Sequence, residues 1–331
     1  MPNLYVTEQG AQIEKEAGQI LVCKHGEVLV SLPATRIEHI VVVGMIGVTT
    51  PALAFLLERG IDLVLLNSNG TFRGRLSGDV SPHIELRHRQ HQRVDDPGFR
   101  LAVGKSIVSG KIANQRALCL RWDERNDDVH TSTAVRELLH LRSMTACAQD
   151  SNELMGIEGQ SSKIYFSVFR RSLAAEWAFK KRVRRPPPDP INALLSICYT
   201  LLHEQCRSAL EAVSLDPYCG FLHAPRRGRC SLAVDLMEEF RSIIADSVVL
   251  SLTNNQRIHQ SDFSIDTSGP RLNQDGWRAI ANQFEQRMQT LITPTGQTRR
   301  VSYQKLIEVQ ARKLRHVIEG SSEYYEPFET R

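Results

Sequence analysis

A histidine and two carboxylates lie close together in the sequence before and after residue 230. His223 ends the segment Gly-Phe-Leu-His over residues 220–223, and a basic loop separates it from Asp235 and Glu238. Imidazole and clustered carboxylates can hold a divalent metal ion, and cationic side chains beside them suit a polyanion. The loop supplies such cations, namely Arg226, Arg227 and Arg229. These residue types are the ones that metal-assisted phosphodiester chemistry requires.

The two carboxylates belong to a helix that the sequence predicts over residues 231–252. Apolar residues recur on one face of this helix, and the opposite face carries Asp235, Glu238, Glu239, Ser242 and Asp246. The same pattern is typical of an amphipathic helix whose acidic side faces water. A single histidine is also common in loops and cores without binding a metal. The pattern alone therefore leaves both interpretations open.

Glu158 is a carboxylate in an apolar setting. On the helix predicted over residues 153–181 it shares a face with Leu154, Tyr165 and Phe169. Burying a carboxylate costs free energy unless it is paired, protonated or bound to a cation. One interpretation is a buried glutamate satisfied by Ser161, Ser162 or an arginine. The other is a metal ligand, with the flanking Gly156 and Gly159 admitting a substrate or a second helix.

The elements that must position these residues change character along the chain. Residues 1–80 contain short β-branched runs separated by turn signals, with one helix predicted over residues 52–58. Residues 81–96 are polar and basic, which is typical of a linker. From residue 97 the apolar period is 3.6, and it predicts helices over residues 101–121, 132–148, 153–181, 189–213, 231–252, 277–291 and 303–319. The predicted fold class is α+β, a small N-terminal β-rich domain followed by a larger, mostly α-helical catalytic domain over residues 97–331.

Composition limits the class of protein. The 331 residues carry a net charge of +4, with basic clusters at residues 87–93, 180–185, 226–229, 299–300 and 312–316. Such clusters fit a nucleic-acid backbone, although each is also typical of a solvated helix face. The longest apolar runs are strand-sized, so no membrane span or secretory signal is predicted. Seven cysteines without a Cys-x-x-Cys pair argue against a disulfide framework and a structural zinc site, and favour the cytoplasm.

Four ordered segments resemble one known family. They are Leu-Met-Gly-Ile-Glu-Gly at residues 154–159, Asp-Pro-Ile-Asn-Ala-Leu-Leu-Ser at residues 189–196, Leu-Asp-Pro-Tyr-Cys-Gly-Phe-Leu-His at residues 215–223, and residues 228–241 around Asp235 and Glu238. The family is the CRISPR-associated spacer integrase/endonuclease, the first of the two universal adaptation proteins. Four ordered motifs over about a hundred residues are far more specific than one short pattern.

The resemblance implies roles for individual residues. The family's metal ligands match Glu158, His223 and Glu238, where Glu238 stands at a position that is Asp in many members. Asp235 matches a nearby acid that the family keeps in the site. Two carboxylates and one imidazole suit Mg²⁺ or Mn²⁺. Our candidates for contact with DNA phosphates are Arg226, Arg227, Arg229, Lys181, Arg184 and Arg185.

The resemblance also implies an activity and partners. The expected reaction is transesterification, in which the 3′-hydroxyl of a short foreign DNA fragment attacks a phosphodiester at the edge of a repeat array. The expected assembly is a homodimer, formed through the β-rich domain, that joins the small second adaptation protein in a heterohexamer-type complex. Apolar strands such as residues 40–43 support this interface only weakly, because they are also typical of a core. The alternatives are a stand-alone metal-dependent DNase or branched-DNA nuclease, and a non-catalytic DNA-binding scaffold.

Overall fold

A computed structural model describes residues 3–78, 83–126, 129–184, 186–266, 269–294 and 298–330, without the side chains of residues 123–126 and 266. The front of the chain is β-rich, as predicted. Its strands are β1 (Leu4–Val6), β2 (Gln12–Glu16), β3 (Gln19–Lys24), β4 (Glu27–Pro33), β5 (His39–Val43), β6 (Gly47–Val48), β7 (Asp62–Leu66) and β8 (Phe72–Leu76). The predicted helix is α1 (Thr50–Arg59), which begins at the Thr49 N-cap and ends at Gly60 in the left-handed conformation.

These strands form two four-stranded sheets. The first has the order β1-β5-β7-β8, with β1, β5 and β7 parallel and β8 antiparallel, and the second has the order β4-β3-β2-β6. Ile13 and Ile20 of the second sheet share a small core with Ile40 and Leu63 of the first. The short strands β2 and β6 were not predicted from the sequence.

Strand β5 is buried on both faces. Ile40 and Val42 belong to the small core between the sheets, whereas Val41 and Val43 belong to the large core of the helical region. A strand covered on both sides reads as a continuous apolar run. The apolar character of residues 40–43 therefore comes from burial within the chain, and this strand offers no surface for a dimer. The run of exposed apolar residues in this region lies instead on β4, at Val28, Leu29 and Val30, and Met45, Leu57 and Phe72 are exposed singly.

The rest of the chain is mostly helical, which confirms the α+β class. The helices are α2 (Ile84–Asp95), α3 (Pro97–Asn126), α4 (Val129–Thr145), α5 (Ser151–Arg171), α6 (Pro190–Ala212), α7 (Ser231–Glu238), α8 (Ser247–Asn254), α9 (Gln274–Met288) and α10 (Tyr303–Glu319). Two small antiparallel pairs join them, β9 (Phe263–Asp266) with β10 (Gly269–Leu272) and β11 (Leu291–Ile292) with β12 (Val301–Ser302). Within the described ranges, no helix has the length and apolarity that a bilayer span requires.

Three predicted elements differ from the structure. Where a linker was expected over residues 81–96, α2 begins at Ile84 and packs through the buried Leu86 and Gln90; residues 81 and 82 lie outside the described ranges. The helix predicted to residue 181 ends at Arg171, and a 3-10 turn then carries Trp177 into the core. A continuous helix would have carried this indole away from the apolar cluster that buries it, so burial overrides helix propensity here.

The third difference lies at the candidate site. The helix predicted over residues 231–252 is α7, a π-helical segment (Arg241–Asp246) and α8. A π-helical turn holds an extra residue and changes the direction of the side chains that follow it. Glu238 is the last residue of α7, so the change of helix type falls directly after this carboxylate.

Candidate active site

Glu158 and Glu238 face each other across a buried lysine. The Lys111 ammonium forms an ion pair with Glu158 Oε1, and it lies 2.7 Å from Glu238 Oε2. Lys111 is 5% exposed and comes from α3, Glu158 comes from α5 and Glu238 ends α7. The contact with Glu238 lacks hydrogen-bond geometry, so Glu238 Oε2 is buried without a hydrogen-bond partner. Three helices thus bring two carboxylates together around one positive charge.

Asp235 fixes the orientation of His223. Its Oδ1 accepts hydrogen bonds from the His223 backbone N–H at 3.0 Å and from His223 Nδ1 at 2.7 Å. Its Oδ2 accepts from the backbone N–H groups of Phe221 and Leu222. Because the carboxylate oxygen accepts, Nδ1 carries the proton and the Nε2 lone pair is available to a metal ion. The residue predicted as an auxiliary acid therefore holds the imidazole and its loop in place.

The loop reaches this position because residue 220 has no side chain. A Cβ on Gly220 would lie 2.6 Å from Ser231 Cβ and 2.8 Å from the His223 carbonyl oxygen. No side chain fits at these distances, so the loop can turn this tightly against the start of α7 only with glycine. Glycine at position 220 is therefore required sterically, besides being part of the sequence motif that ends at His223.

Glu238 is ionised at neutral pH. Burial by itself raises the pKa of this carboxyl, but Arg241, Lys111 and His223 together lower it to about 2. Arg241 Nη2 lies 3.2 Å from Glu238 Oε1. A carboxylate that stays ionised and has one oxygen free of hydrogen bonds is suited to accept a cation.

A cavity of about 630 Å³ opens beside these groups. Glu158, Gly159 and Glu238 contribute to its wall, and nothing lies within 4 Å of a Cβ built on Gly159, so this glycine faces open space and no second helix. Six further cationic side chains line the cavity, namely Lys163, Arg170, Lys180, Lys181, Arg182 and Arg184. The cavity joins the acidic cluster to a strongly positive wall.

The cavity wall also carries Asp246, a second buried acid, for which the sequence left a water-facing position open. Asp246 accepts hydrogen bonds from Tyr199 at 2.6 Å and from Tyr165 at 2.8 Å. Burial raises the pKa of Asp246 to about 6, although both tyrosines and nearby arginines oppose the rise. The guanidinium groups of Arg182 and Arg241 lie 5.3 and 5.1 Å from the Tyr199 ring centroid. This network holds two cations at the cavity wall.

The alternative of a solvent-facing acidic helix face is wrong. The side chains concerned are 0–3% exposed, namely Asp235, Glu238, Glu239, Ser242 and Asp246. Each has a specific partner or lines the cavity, because α7 and the π-helical segment lie inside the helical region. For Glu158, the alternative of a satisfied buried glutamate holds in part, since Ser162 Oγ donates to it at 3.1 Å and Lys111 pairs with it.

The candidate DNA contacts divide into two groups. Lys181 and Arg184 are exposed and line the cavity. Arg226 and Arg227 are exposed on a turn outside the cavity wall, and Arg229 is half-buried. Burial lowers the pKa of Arg229, which lies close enough to Asp235 and Arg184 to interact with their charges. Arg185 lies outside the described residues.

Sequence reasoning missed Lys111 and Arg241. One signal for Lys111 was present, because at helical spacing it shares a face with Ile107, Val108 and Leu118, which are buried. A lysine on a core-facing stripe implies a buried partner of opposite charge. Arg241 gave no such signal, since its direction depends on the π-helical segment.

A divalent cation fits this donor set. The Lys111 ammonium already occupies a position between two carboxylates, Glu238 Oε2 lacks a hydrogen-bond partner, and His223 has a free Nε2. Carboxylate and imidazole ligands of this kind suit Mg²⁺ or Mn²⁺. The ligand atoms of Glu158, His223 and Glu238 are not all within 4.8 Å of one another among the described residues. To bind one ion, these side chains would have to move closer together and the Lys111 ammonium would have to move aside.

The fold and site thus define an α+β protein with paired carboxylates on the wall of a cationic cavity, an arrangement typical of proteins that act on phosphodiesters. The family described as CRISPR associated protein Cas1 matches residues 4–286. The chain is 38% identical over 330 residues to a CRISPR-associated endonuclease Cas1 of Thermus thermophilus, covering 99% of this chain and 97% of the relative. The chain belongs to the Cas1 family.

Solved structures share this fold. A casposase bound to its integration product has a TM-score of 0.88 at 22% identity, covering 100% of this chain and 95% of the casposase chain. A Cas6–RT–Cas1–Cas2 complex gives a TM-score of 0.82 at 23% identity, covering 99% of this chain and 36% of the matched chain. At these identities the likeness concerns the fold.

Proposed function

We propose that this protein is a metal-dependent DNA integrase/endonuclease of CRISPR adaptation, which joins 3′-hydroxyl ends of short DNA fragments to a repeat array. The observation that carries the proposal is the pair of carboxylates, Glu158 and Glu238, which lie together on the wall of a cationic cavity, with the Asp235-bound His223 close enough to Glu238 to lower its pKa. Membership of the Cas1 family and likeness to a casposase bound to its integration product support it.

In the proposed reaction the chain's residues bind and orient the reacting groups. Glu158, His223 and Glu238 hold a divalent ion, and Asp235 keeps the Nε2 of His223 free for it. Arg241 and Lys111 keep Glu238 ionised. When bound, the ion supplies Lewis-acid stabilisation of the negative charge that develops on the phosphate oxygens.

The reaction conserves phosphodiester bonds. The 3′-oxygen of the fragment forms a new bond to phosphorus, the bond from phosphorus to the 3′-oxygen of the repeat strand breaks, and that oxygen leaves with a proton. No nucleotide cofactor is required, because one phosphodiester replaces another. With water in place of the fragment end, the same site cuts DNA.

The cavity wall provides the binding surface for the reacting strand. Lys163, Lys181 and Arg184 are exposed beside Glu158 and can neutralise successive phosphates without reading bases. We propose that the duplex extends from the cavity towards Arg226 and Arg227. Binding should then weaken steeply with salt.

We further propose that the protein acts as a homodimer together with a Cas2 protein. The structural neighbour whose name includes both Cas1 and Cas2 supports this partner. Because β5 is internal, the surface that the β-rich region offers is the exposed face of β4 at Val28–Val30.

Strand transfer tests the proposed function. Labelled duplex fragments with 3′-hydroxyl or 3′-deoxy ends are mixed with a supercoiled plasmid that carries a repeat array, Mn²⁺ and the protein, with and without its Cas2 partner. We expect joined product only with the 3′-hydroxyl and metal. Glu158→Gln should abolish joining, whereas Glu153→Gln, an exposed glutamate on the same helix, should retain it.

The other two functions give different results. Nicking that requires Glu158 and metal but yields no joined product, even with the Cas2 partner, would identify a DNase. DNA binding that is unchanged by EDTA and accompanied by neither reaction would identify a scaffold. Joining that survives Glu158→Gln would overturn the site assignment.

A further inference from the structure

A second group of ligating side chains lies outside the candidate active site. His91 of α2 meets Asp216 and Cys219, which belong to the loop between α6 and α7. The Cys219 sulfur lies 3.5 Å from His91 Nδ1, 3.8 Å from His91 Nε2 and 3.5 Å from Asp216 Oδ2, and the Nε2 and Oδ2 atoms are 3.9 Å apart. His91 is more than a hundred positions from the other two residues in the sequence, and no Cys-x-x-Cys motif marks the group.

The distances to the Cys219 sulfur are close to the edges of a tetrahedral site, whereas a metal ion would have to draw His91 Nε2 and Asp216 Oδ2 closer together by about 0.5 Å. Zinc bonds of about 2.0–2.3 Å at tetrahedral angles place pairs of ligand atoms about 3.3–3.8 Å apart. Sulfur, imidazole nitrogen and a carboxylate oxygen are the ligand types that Zn²⁺ takes, and a sulfur ligand disfavours Mg²⁺. Geometry and ligand chemistry therefore point to the same metal.

The loop is held in this geometry by Gln90, the neighbour of His91. Its amide donates to the carbonyl oxygens of Asp216 at 2.8 Å and Cys219 at 3.3 Å, and its Oε1 accepts from the Asp216 N–H at 2.8 Å. Gln90 is 0% exposed. The Tyr218 N–H donates to Asp216 Oδ1, which leaves Oδ2 directed at the sulfur. The ligands are thus positioned by contacts other than those of a metal.

The group is reachable from solvent on one side. The side chain of His91 is 59% exposed and that of Asp216 is 29% exposed, whereas Cys219 is buried. A metal ion can therefore enter past the imidazole and reach the sulfur. The exposed side leaves a fourth position for water.

We propose that His91, Asp216 and Cys219 bind one Zn²⁺ ion that fastens α2 to the loop ending in His223. The site is distinct from the one formed by Glu158, His223 and Glu238, and it has no reacting group. Its effect is to fix residues 216–219, and hence the loop that the Asp235 carboxylate gathers at residues 221–223. Burial and the facing Asp216 carboxylate raise the pKa of the Cys219 thiol to about 12. Zinc binding therefore releases a proton.

Cobalt(II) is the probe for this site. Purified metal-free protein is titrated with Co²⁺ and the thiolate-to-cobalt charge-transfer band is measured. We expect one Co²⁺ per chain to give the band, and Zn²⁺ to remove it. The predicted catalytic ligands contain no sulfur, so the band reports this site even if the proposed function is wrong.

Matched variants assign the band. Cys219→Ser should abolish it and His91→Ala should weaken Co²⁺ binding at least tenfold. Cys147→Ser, at an exposed cysteine, and His88→Ala, at an exposed histidine of the same helix, should leave it unchanged. Zn²⁺ should also raise the Tm of the unmodified protein more than that of Cys219→Ser.

Two results would overturn the proposal. One is the absence of a charge-transfer band in the unmodified protein at millimolar Co²⁺, which does not depend on any variant folding. The other is a band that persists in Cys219→Ser.

Discussion

Two consecutive glutamates at the end of α7, Glu238 and Glu239, are equally buried, but their carboxyl groups differ in pKa. Glu238 faces Lys111 and Arg241, and its pKa is lowered to about 2. Glu239 faces the C-terminal segment, where it accepts hydrogen bonds from Tyr325, Gln310 and the Phe328 N–H. Burial raises the pKa of Glu239 to about 7 despite these bonds. The cavity side therefore favours the ionised carboxylate, whereas the tail side raises the pKa of its carboxyl group.

The difference lies in the compensating groups, since the fraction buried is the same. Two cations offset the desolvation of Glu238, whereas neutral donors only partly offset that of Glu239. Two adjacent residues therefore have different roles. Glu239 anchors the C-terminal segment to α7, and Glu238 presents a carboxylate to the cavity.

The largest effect should follow from removing the cation between the carboxylates. Lys111→Met leaves Glu158 without its ion pair and Glu238 without one of two cations, and we expect the free energy of unfolding to fall by about 3–5 kcal/mol. Mn²⁺ should restore part of this loss because it can take the place of the ammonium. Urea denaturation with and without Mn²⁺ measures both effects.

Lys163→Met is the control for that variant. Lys163 lines the same cavity but is exposed, so its removal should change stability by less than about 0.5 kcal/mol. Equal stability of the two variants would show that the central ion pair is unimportant.

The next effect is the pH dependence of stability that Glu239 causes where it faces the C-terminal segment. The folded pKa of Glu239, about 7, exceeds its ordinary value of 4.5, so the folded chain binds more protons between these pH values. The contribution of Glu239 to the free energy of unfolding is therefore full below pH 4.5 and is lost as the pH rises to 7. The change is on the order of 3 kcal/mol. Glu239→Gln should remove this decline.

The measurement is the urea midpoint of both proteins from pH 4 to pH 8, taken as a difference. The difference isolates Glu239 from Asp246, whose pKa is also raised, to about 6. Parallel curves for the two proteins would contradict the assignment. On the cavity side the sign is opposite, because the stability that Glu238 contributes is lost as the pH falls from 4.5 towards 2.

A smaller effect is expected where a carboxylate acts through another residue. Asp235→Asn removes the acceptor that fixes the protonation of His223 Nδ1, and such partners typically change metal affinity 10–100-fold. Free Mn²⁺, measured by electron paramagnetic resonance, reports the affinity directly. Asp275→Asn, at an exposed carboxylate, is the control, and equal affinities of the two variants would contradict the positioning role.

The smallest effect concerns the salt dependence of DNA binding, to which the cavity cations and the cations of the 226–229 turn should contribute differently. Lys181→Ala with Arg184→Ala should reduce the slope of log Kd against log salt for duplex DNA by about 2, since each lost phosphate contact changes it by about 1. Arg226→Ala with Arg227→Ala should change the slope less, by about 1, because these exposed side chains lie outside the cavity, at the end of the proposed DNA path. The reverse order would move the DNA path to the turn.

The sequence predicted most elements but not the directions of the site residues. Periodicity located α10 at Tyr303–Glu319 and β5 at His39–Val43 to the residue, because their buried faces are continuous. The π-helical segment after Glu238 has no sequence signature, so the role of Arg241 was missed and the sequence left open whether Asp246 faces water. Gly220 and His223 were found through a motif, but their hydrogen bonds to Asp235 depend on how the loop folds back onto α7.

The most direct test compares Glu238→Gln with Glu239→Gln in metal-dependent strand transfer. The two substitutions are identical, adjacent and equally buried, so a general loss of stability cannot separate them. The measurement is the single-turnover rate of joining at pH 7.5 with Mn²⁺ and the Cas2 partner. We predict that Glu238→Gln lowers the rate about 10³-fold, by removing several kcal/mol of transition-state stabilisation, and that Glu239→Gln stays within about threefold of the unmodified protein. Equal rates for the two variants would contradict the division between a catalytic cavity side and a structural tail side.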